Sequence, residues 1–230
     1  MRYENIITGI FIDRPNRFIA YVKIGDEVCQ CHVKNTGRCK ELLIPGKSKV
    51  YLEDHGANAK RKTRYSLVAV IKETEKENIL INMDSQAPNK VAREWLESGG
   101  LEGNITYIKA EKTFEDSRFD LYFEYDDEKN QLCKAFMEVK GVTLEENGVV
   151  RFPDAPTQRG VKHLEGLMKA KKAGYVTYLL FVVQMGKFER FEPNGSTDPV
   201  FANTLRKAEE EGVIVIVKGC RITPDSLQIL

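Results

Sequence analysis

Residues 119–140 read FDLYFEYDDEKNQLCKAFMEVK. Phe119 to Tyr125 and Leu132 to Lys140 are rich in aromatic and apolar residues, and the polar run Asp126 to Gln131 separates them. That pattern predicts an antiparallel hairpin. Paired residue numbers in a hairpin keep a constant sum, so placing Asp120 opposite Glu138 centres the turn on Lys129, inside the polar run. In that register the two carboxylates face each other with Cβ atoms about 5 Å apart. Alternation puts Lys140 on the same face as Glu138 and Val139 on the other.

Facing carboxylates repel unless something compensates them. A divalent cation would do so, and Mg2+ (or Mn2+) takes one or two protein carboxylates beside water and phosphate oxygens. Lys140 would then point at the same place, able to orient a water or to stabilise charge on a phosphate in flight. Asp120 with Glu138-Val139-Lys140 is therefore a candidate phosphodiester-cleaving site, with Asp120 and Glu138 as metal ligands. The competing reading is a solvent-facing carboxylate pair bridged by Lys140.

Downstream, Thr157 to Ala173 reads as a helix with Val161, Leu164, Leu167 and Met168 as its apolar stripe. Arg159, Lys162 and His163 fall in its first turns, where the dipole disfavours cations and favours an anion, so they are candidate phosphate contacts. Asp154, just before this helix, could be a further metal ligand or a cap. Tyr175 to Val183 and Val213 to Val217 read as buried strands, and Asp198-Pro199 opens a helix between them. Upstream, Ala87-Pro88-Asn89 starts a helix with Val91, Trp95 and Leu96 on one face, ended by Gly99-Gly100. Helix, hairpin, helix, strand, helix, strand is an α/β core.

The first 84 residues differ. Ile6 to Asp13, Phe18 to Ile24, Val28 to Val33, Ser48 to Leu52, Ser66 to Lys72 and Asn78 to Met83 read as short strands, which predicts a small β-barrel. The expected division is 1–84 and 85–230. Lys60-Arg61-Lys62-Thr63-Arg64 carries four cations in five residues, either a solubilising loop or a phosphate-binding one. Tyr51 and Tyr65 could stack on bases. His55 reads as a surface residue.

Charge and composition set the remaining bounds. The net charge of +1 divides into 15 Lys/Arg against 11 Asp/Glu over residues 1–85 and 20 against 23 over 86–230. The basic first part permits an anionic polymer as partner without demanding one. No apolar run nears the roughly 18 residues that span a bilayer, and there is no long apolar signal core, so a soluble cytoplasmic protein is expected. Cys29, Cys31 and Cys39 with His32 have spacing unlike the usual zinc knuckles, and the odd total of five cysteines points to reduced thiols.

Asn35-Thr36-Gly37-Arg38-Cys39, Glu41-Leu42-Leu43, Pro45-Gly46, Lys60-Arg61-Lys62, Ser117-Arg118-Phe119-Asp120, Glu138-Val139-Lys140, Val142-Thr143-Leu144, Phe152-Pro153-Asp154-Ala155, Arg159-Gly160 and Lys162-His163-Leu164 occur in this order. Together they resemble the sugar fermentation stimulation protein family (SfsA). The resemblance implies an N-terminal OB-fold domain and a C-terminal restriction-endonuclease-like domain of the PD-(D/E)xK type. It implies nonspecific DNA binding through backbone contacts, with Arg38 among the contacting cations, and a regulatory role in sugar, especially maltose, metabolism. One departure is Gly166, where the family pattern leads one to expect a charged or polar residue before Leu167. A Mg2+-dependent nuclease competes with a non-enzymatic DNA-binding regulator, and a sugar-binding protein is suggested by nothing but the family's name. The intact Asp120, Glu138 and Lys140 favour the nuclease, since a purely binding protein needs no such trio. Oligomeric state is left open, a homodimer included.

Overall fold

Short runs of β-branched and aromatic residues, punctuated by turn residues, build the first half of the molecule as strands. The structure is a computed structural model describing all residues except Thr36, Arg38, Asn58 and Ala59. β1 (Ile6–Asn16), β2 (Ile19–Ile24) and β3 (Glu27–Val33) form an antiparallel meander. β4 (Lys49–Asp54) returns along β1, and β5 (Tyr65–Glu73) pairs with β4. Parallel pairing of Cys31–Val33 with Tyr65–Leu67 closes the ring. Register shifts after Phe11 bend β1 so that it can serve both halves of the barrel. Val22, Cys31, Val50, Leu52, Leu67 and Val70 fill the interior. β6 (Asn78–Asn82) adds to the free edge of β5 and leads out of the barrel.

The second half is layered. It comprises α1 (Ala87–Glu97), β7 (Asn104–Phe114), β8 (Ser117–Asp126), β9 (Leu132–Val142), β10 (Leu144–Glu146), β11 (Val149–Phe152), α2 (Gln158–Lys172), β12 (Val176–Val183), β13 (Arg190–Pro193), α3 (Pro199–Glu210), β14 (Ile214–Thr223) and β15 (Ser226–Ile229). The main sheet runs β15-β14-β12-β9-β8-β7, and β10-β11-β13 form a small second one. β12 lies parallel to both β9 and β14. α1 packs Val91, Trp95 and Leu96 on Leu121, Phe123, Met137 and Leu180. The opposite face, with Tyr122, Phe136, Leu179 and Phe181, is covered by α2 and α3 through Leu164, Leu167, Phe201 and Leu205. Among the described residues, no helix is long and apolar enough to cross a membrane.

The hairpin forms in the expected register, from Leu121 opposite Met137 to Asp126 opposite Leu132. Five strands escape the periodicity reading: β7, β10, β11, β13 and β15. β7 is an edge strand with mostly exposed residues, so it lacks the apolar alternation that would mark it. β14 corrects an expectation: its residues are mainly half-buried rather than enclosed, because of its place near the sheet edge. Gly166 is also corrected. A Cβ there would sit 2.9 Å from Ser117 Cβ and 3.1 Å from Phe119 Cζ, so this buried position lets α2 close onto β8 and admits no charged side chain.

The N-termini of α2 and α3 are fastened together. Thr157 caps α2 by accepting from the Gly160 N–H at 3.0 Å. Asp198 caps α3 by accepting from the Phe201 N–H at 2.9 Å, and its other oxygen accepts from the Thr157 N–H at 2.8 Å. These backbone donors hold the Asp198 carboxyl below the usual carboxylate range. A depressed carboxyl contributes stability above its unfolded value of about 3.9 and loses it as pH falls through the folded value. Asp198→Ala should therefore cost about 1–2 kcal/mol in urea unfolding at pH 7, and the gap from the parent protein should narrow below about pH 4.

Candidate active site

The site forms where β8 and β9 part. Backbone pairing ends at Leu121–Met137. The Val139 N–H beyond it donates instead to Asp120 Oδ2 at 2.8 Å, and Asn89 from the first turn of α1 donates to Asp120 Oδ1 at 2.7 Å. Burial, and next the Glu138 charge, raise the Asp120 carboxyl above its ordinary value. The two carboxylates therefore share one low-dielectric corner of the sheet.

Glu138 is 1% exposed. Lys140 Nζ contacts its Oε1 at 2.6 Å, and His163 Nδ1 bonds the same oxygen. Arg159 Nε donates to His163 Nε2 at 3.4 Å, which makes Nε2 an acceptor and assigns the ring proton to Nδ1. Burial pushes the Glu138 carboxyl up, but the His163 hydrogen bond and the Lys140 charge outweigh it and leave it below the usual range. Its second oxygen, Oε2, is buried without any hydrogen-bond partner among the described residues.

That orphaned oxygen tests the fit of a metal. Ionised Glu138 with a bare Oε2, next to a second carboxylate, is a hard oxygen donor set of the kind Mg2+, Mn2+ and Ca2+ prefer. Among the described residues no group of three or more His, Cys, Asp or Glu side chains converges on a metal position. Two carboxylates suffice for Mg2+, which keeps several waters.

The other expected residues are distributed differently. Arg159 is exposed at the start of α2 beside His163. His163 is buried against Glu138 and Lys140, so it supports the carboxylate rather than lying open for a phosphate. Lys162 points elsewhere on the helix and pairs with Asp116 at 3.4 Å in the β7–β8 turn. Asp154 is not the α2 cap, which is Thr157; it stands beside Gly37 of the barrel. Lys60, Arg61 and Lys62 are exposed on the β4–β5 connection, with Arg61 Nη2 donating to Ser66 Oγ at 3.3 Å. Arg38 lies outside the described residues. The Tyr51 and Tyr65 rings are half-buried, with Lys49 and Arg64 over them. His55 is half-buried, its Nε2 2.9 Å from Ser66 Oγ. Sequence reasoning missed Asn89, whose only signal was its place in the first turn of a Pro-opened helix.

The raised Asp120 carboxyl makes a prediction. A carboxyl raised on folding contributes stability below its unfolded value of about 3.9 and loses it as pH rises through the folded value. Metal-free Asp120→Asn should thus melt above the parent protein at pH 7, because the amide can still accept from Val139. The difference should shrink as pH is lowered towards 4. A variant that melts lower at pH 7 would refute the electrostatic cost assigned to Asp120.

The family profile described as the SfsA N-terminal OB domain matches residues 12–82, and that of the sugar fermentation stimulation protein RE domain matches 86–226. The fold is accordingly an OB barrel followed by a restriction-endonuclease-like α/β domain. A sugar fermentation stimulation protein homolog of Clostridium beijerinckii is 50% identical over 229 residues, covering 100% of this chain and 96% of the relative. One of Desulfitobacterium hafniense (strain DSM 10664 / DCB-2) is 51% identical over 228 residues, covering 99% and 95%. The solved structure of Pyrococcus furiosus SfsA in complex with Ca2+ superposes with a TM-score of 0.82 at 28% identity, covering 100% of this chain and 95% of that one. With both of its halves matched, the chain belongs to the sugar fermentation stimulation protein family.

Proposed function

We propose that this protein is a DNA-binding, divalent-metal-dependent phosphodiesterase. The observation that carries the reading is the buried, ionised Glu138, whose Oε2 has no hydrogen-bond partner among the described residues, beside Asp120 and Lys140. A purely structural ion pair would satisfy both carboxylate oxygens, since an unpaired buried acceptor is costly. Asp120 and Glu138 would hold Mg2+ or Mn2+. The ion would supply Lewis-acid polarisation of a phosphoryl oxygen and a more acidic bound water. The Ca2+ in the Pyrococcus furiosus relative supports an oxygen-seeking divalent ion.

The protein's own groups divide the remaining work. Asn89 and the Val139 N–H orient Asp120. His163 and Lys140 keep Glu138 ionised despite its burial. Lys140 would orient the attacking water and stabilise the developing charge. Arg159, exposed at the helix start, would grip a backbone phosphate with its planar fork. Lys60, Arg61 and Lys62 would add sequence-independent contacts from the barrel. The alternative, a regulator that only grips DNA, keeps the cationic contacts and leaves the bare Glu138 oxygen without a purpose.

The direct experiment incubates labelled DNA and RNA with the protein, with and without Mg2+ or Mn2+, beside Glu138→Ala. Metal-dependent cleavage lost in the variant supports the reading; DNA binding without cleavage of any nucleic acid under any metal leaves the binding-only regulator. Lys140→Ala should lower cleavage by roughly 100-fold or more, the scale of losing one charge-stabilising donor, while affinity stays within a few-fold. Changing Lys60, Arg61 and Lys62 together to Ala should reduce the slope of log affinity against log salt by up to about 0.9 for each phosphate that is no longer neutralised. An unchanged slope would remove the barrel loop from the interface.

A further inference from the structure

Asn89 stands in the first turn of α1, and the fold brings that turn against β9. Pro88 Cγ lies 2.8 Å from the place a Cβ on Gly141 would take, so the glycine directly after Lys140 lets α1 start against the strand that carries Glu138. The start itself is anchored. The Gln86 N–H donates to Asp84 Oδ1 at 2.9 Å, and the Ala87 N–H donates to the Asp84 carbonyl at 3.1 Å. Asp84 is buried and paired with Lys34 at 3.1 Å, and Gln184 Nε2 donates to its carbonyl. Ala87, Pro88, Val91 and Ala92 are buried, whereas Asn89 is exposed. A fixed backbone thus carries an open side chain to Asp120.

The Asn89 amide has two ends, and the fold uses one of them. Its Nδ2 donates to Asp120 Oδ1 at 2.7 Å. An ionised carboxylate only accepts, so it fixes which end of the amide faces it. The other end, Oδ1, accepts no hydrogen bond among the described residues. The oxygen and nitrogen of an amide are about 2.3 Å apart by their bond lengths, so Asn89 Oδ1 lies within about 5 Å of Asp120 Oδ1. Mg2+ binds oxygen at about 2.1 Å, and a water on it reaches an acceptor about 2.8 Å further on. Waters of an ion held by Asp120 therefore come within reach of Asn89 Oδ1. Asp120 remains able to hold that ion. Its Oδ1 accepts from Asn89 and its Oδ2 from the Val139 N–H, and each oxygen keeps a further lone pair.

Resting on the metal-dependent reading above, we infer that Asn89 completes the metal site: its Nδ2 holds Asp120 while its Oδ1 accepts from a water bound to the ion. The residue type suits both tasks. An aspartate here would have no proton to give Asp120 and would set a third negative charge beside Asp120 and Glu138. An alanine would make neither contact. The amide donates to the carboxylate and accepts from the water without changing the charge of the site. Mg2+ keeps several of its waters, so a neutral oxygen that fixes one of them complements two carboxylates. Asn89 is then a positioning residue for the ion's water as well as for Asp120.

The test is calorimetric titration with Mn2+ of the parent protein, Asn89→Ala, Asn89→Asp and Lys90→Gln, each variant checked for an unchanged melting temperature. Asn89→Ala should bind the ion about tenfold more weakly, the lower end for groups that orient metal ligands. Asn89→Asp loses the donation to Asp120 but keeps an oxygen for the ion's water, and it should recover most of that loss. Lys90→Gln makes the same change of net charge at the exposed neighbouring position, and it should alter affinity far less, because an exposed charge is screened by salt. A crystal structure with Mn2+ should show a water of the ion about 2.8 Å from Asn89 Oδ1. Unchanged affinity in Asn89→Ala overturns the inference and leaves the two-carboxylate metal site standing. Asn89→Asp as weak as Asn89→Ala, or a gain from Lys90→Gln equal to the recovery, also overturns it, since Asn89 would then act only on Asp120 or only through charge. No Mn2+ binding by the parent protein, even with DNA present, overturns both this inference and the metal-dependent reading.

Discussion

The buried charge of Glu138 is the constraint around which the rest of the site is arranged. A carboxylate 1% exposed would normally take up a proton to escape the cost of desolvation. Lys140 and His163 prevent this by meeting the same oxygen from two sides. One arrives from the next same-face position on β9, the other from the first turns of α2. That places a requirement on the fold: α2 must lie close against the sheet, and Gly166 permits it by letting the helix approach Ser117 and Phe119. Thr157 and Asp198 fix where the helix begins, and so where His163 and Arg159 stand. Packing and capping far from the carboxylates are thereby tied to the charge state of one residue.

The two domains share an apolar core that runs from the barrel through Ile81 and Met83 to Val183 and Met185, and polar contacts accompany it. Asn82 and Gln184 exchange backbone and side-chain hydrogen bonds, Asp84 caps the turn into α1 through the Gln86 N–H, and Lys72 pairs with Glu145 at 2.6 Å. Such directional contacts specify one relative placement, because each buried polar group loses its partner if the domains slide.

Much of this was legible from residues alone, for local reasons. The hairpin register followed from one polar turn and the opposition of Asp120 and Glu138, and it holds from Leu121 to Asp126. The helix starts at Ala87 and Pro199 followed from a proline in the first turn, joined in the second by the Asp198 cap. The edge strand β7 was illegible because exposed residues carry no apolar period, and β14 read as more buried than it is because five apolar residues in a row do not reveal how many neighbours cover them. Within the site, strand alternation gave Asp120, Glu138 and Lys140. Assigning His163 to phosphate was reasonable from its helical position, but its actual contact with Glu138 depends on how α2 docks on the sheet, a tertiary fact. The same holds for Lys162, which the docking turns towards Asp116, and for Asn89, which reaches Asp120 only because α1 crosses the end of the sheet.

Calorimetric titration with Mn2+ of the parent protein and of Glu138→Gln most directly tests whether the bare Glu138 oxygen is a metal ligand. The amide preserves the size of the side chain while removing its charge, so the variant should stay folded. The parent protein should bind the ion, and the variant should bind at least about tenfold more weakly, the lower end of what removal of an important metal-site group costs. Equal affinity in the two proteins, or no binding by the parent protein even with DNA present, would contradict the metal site.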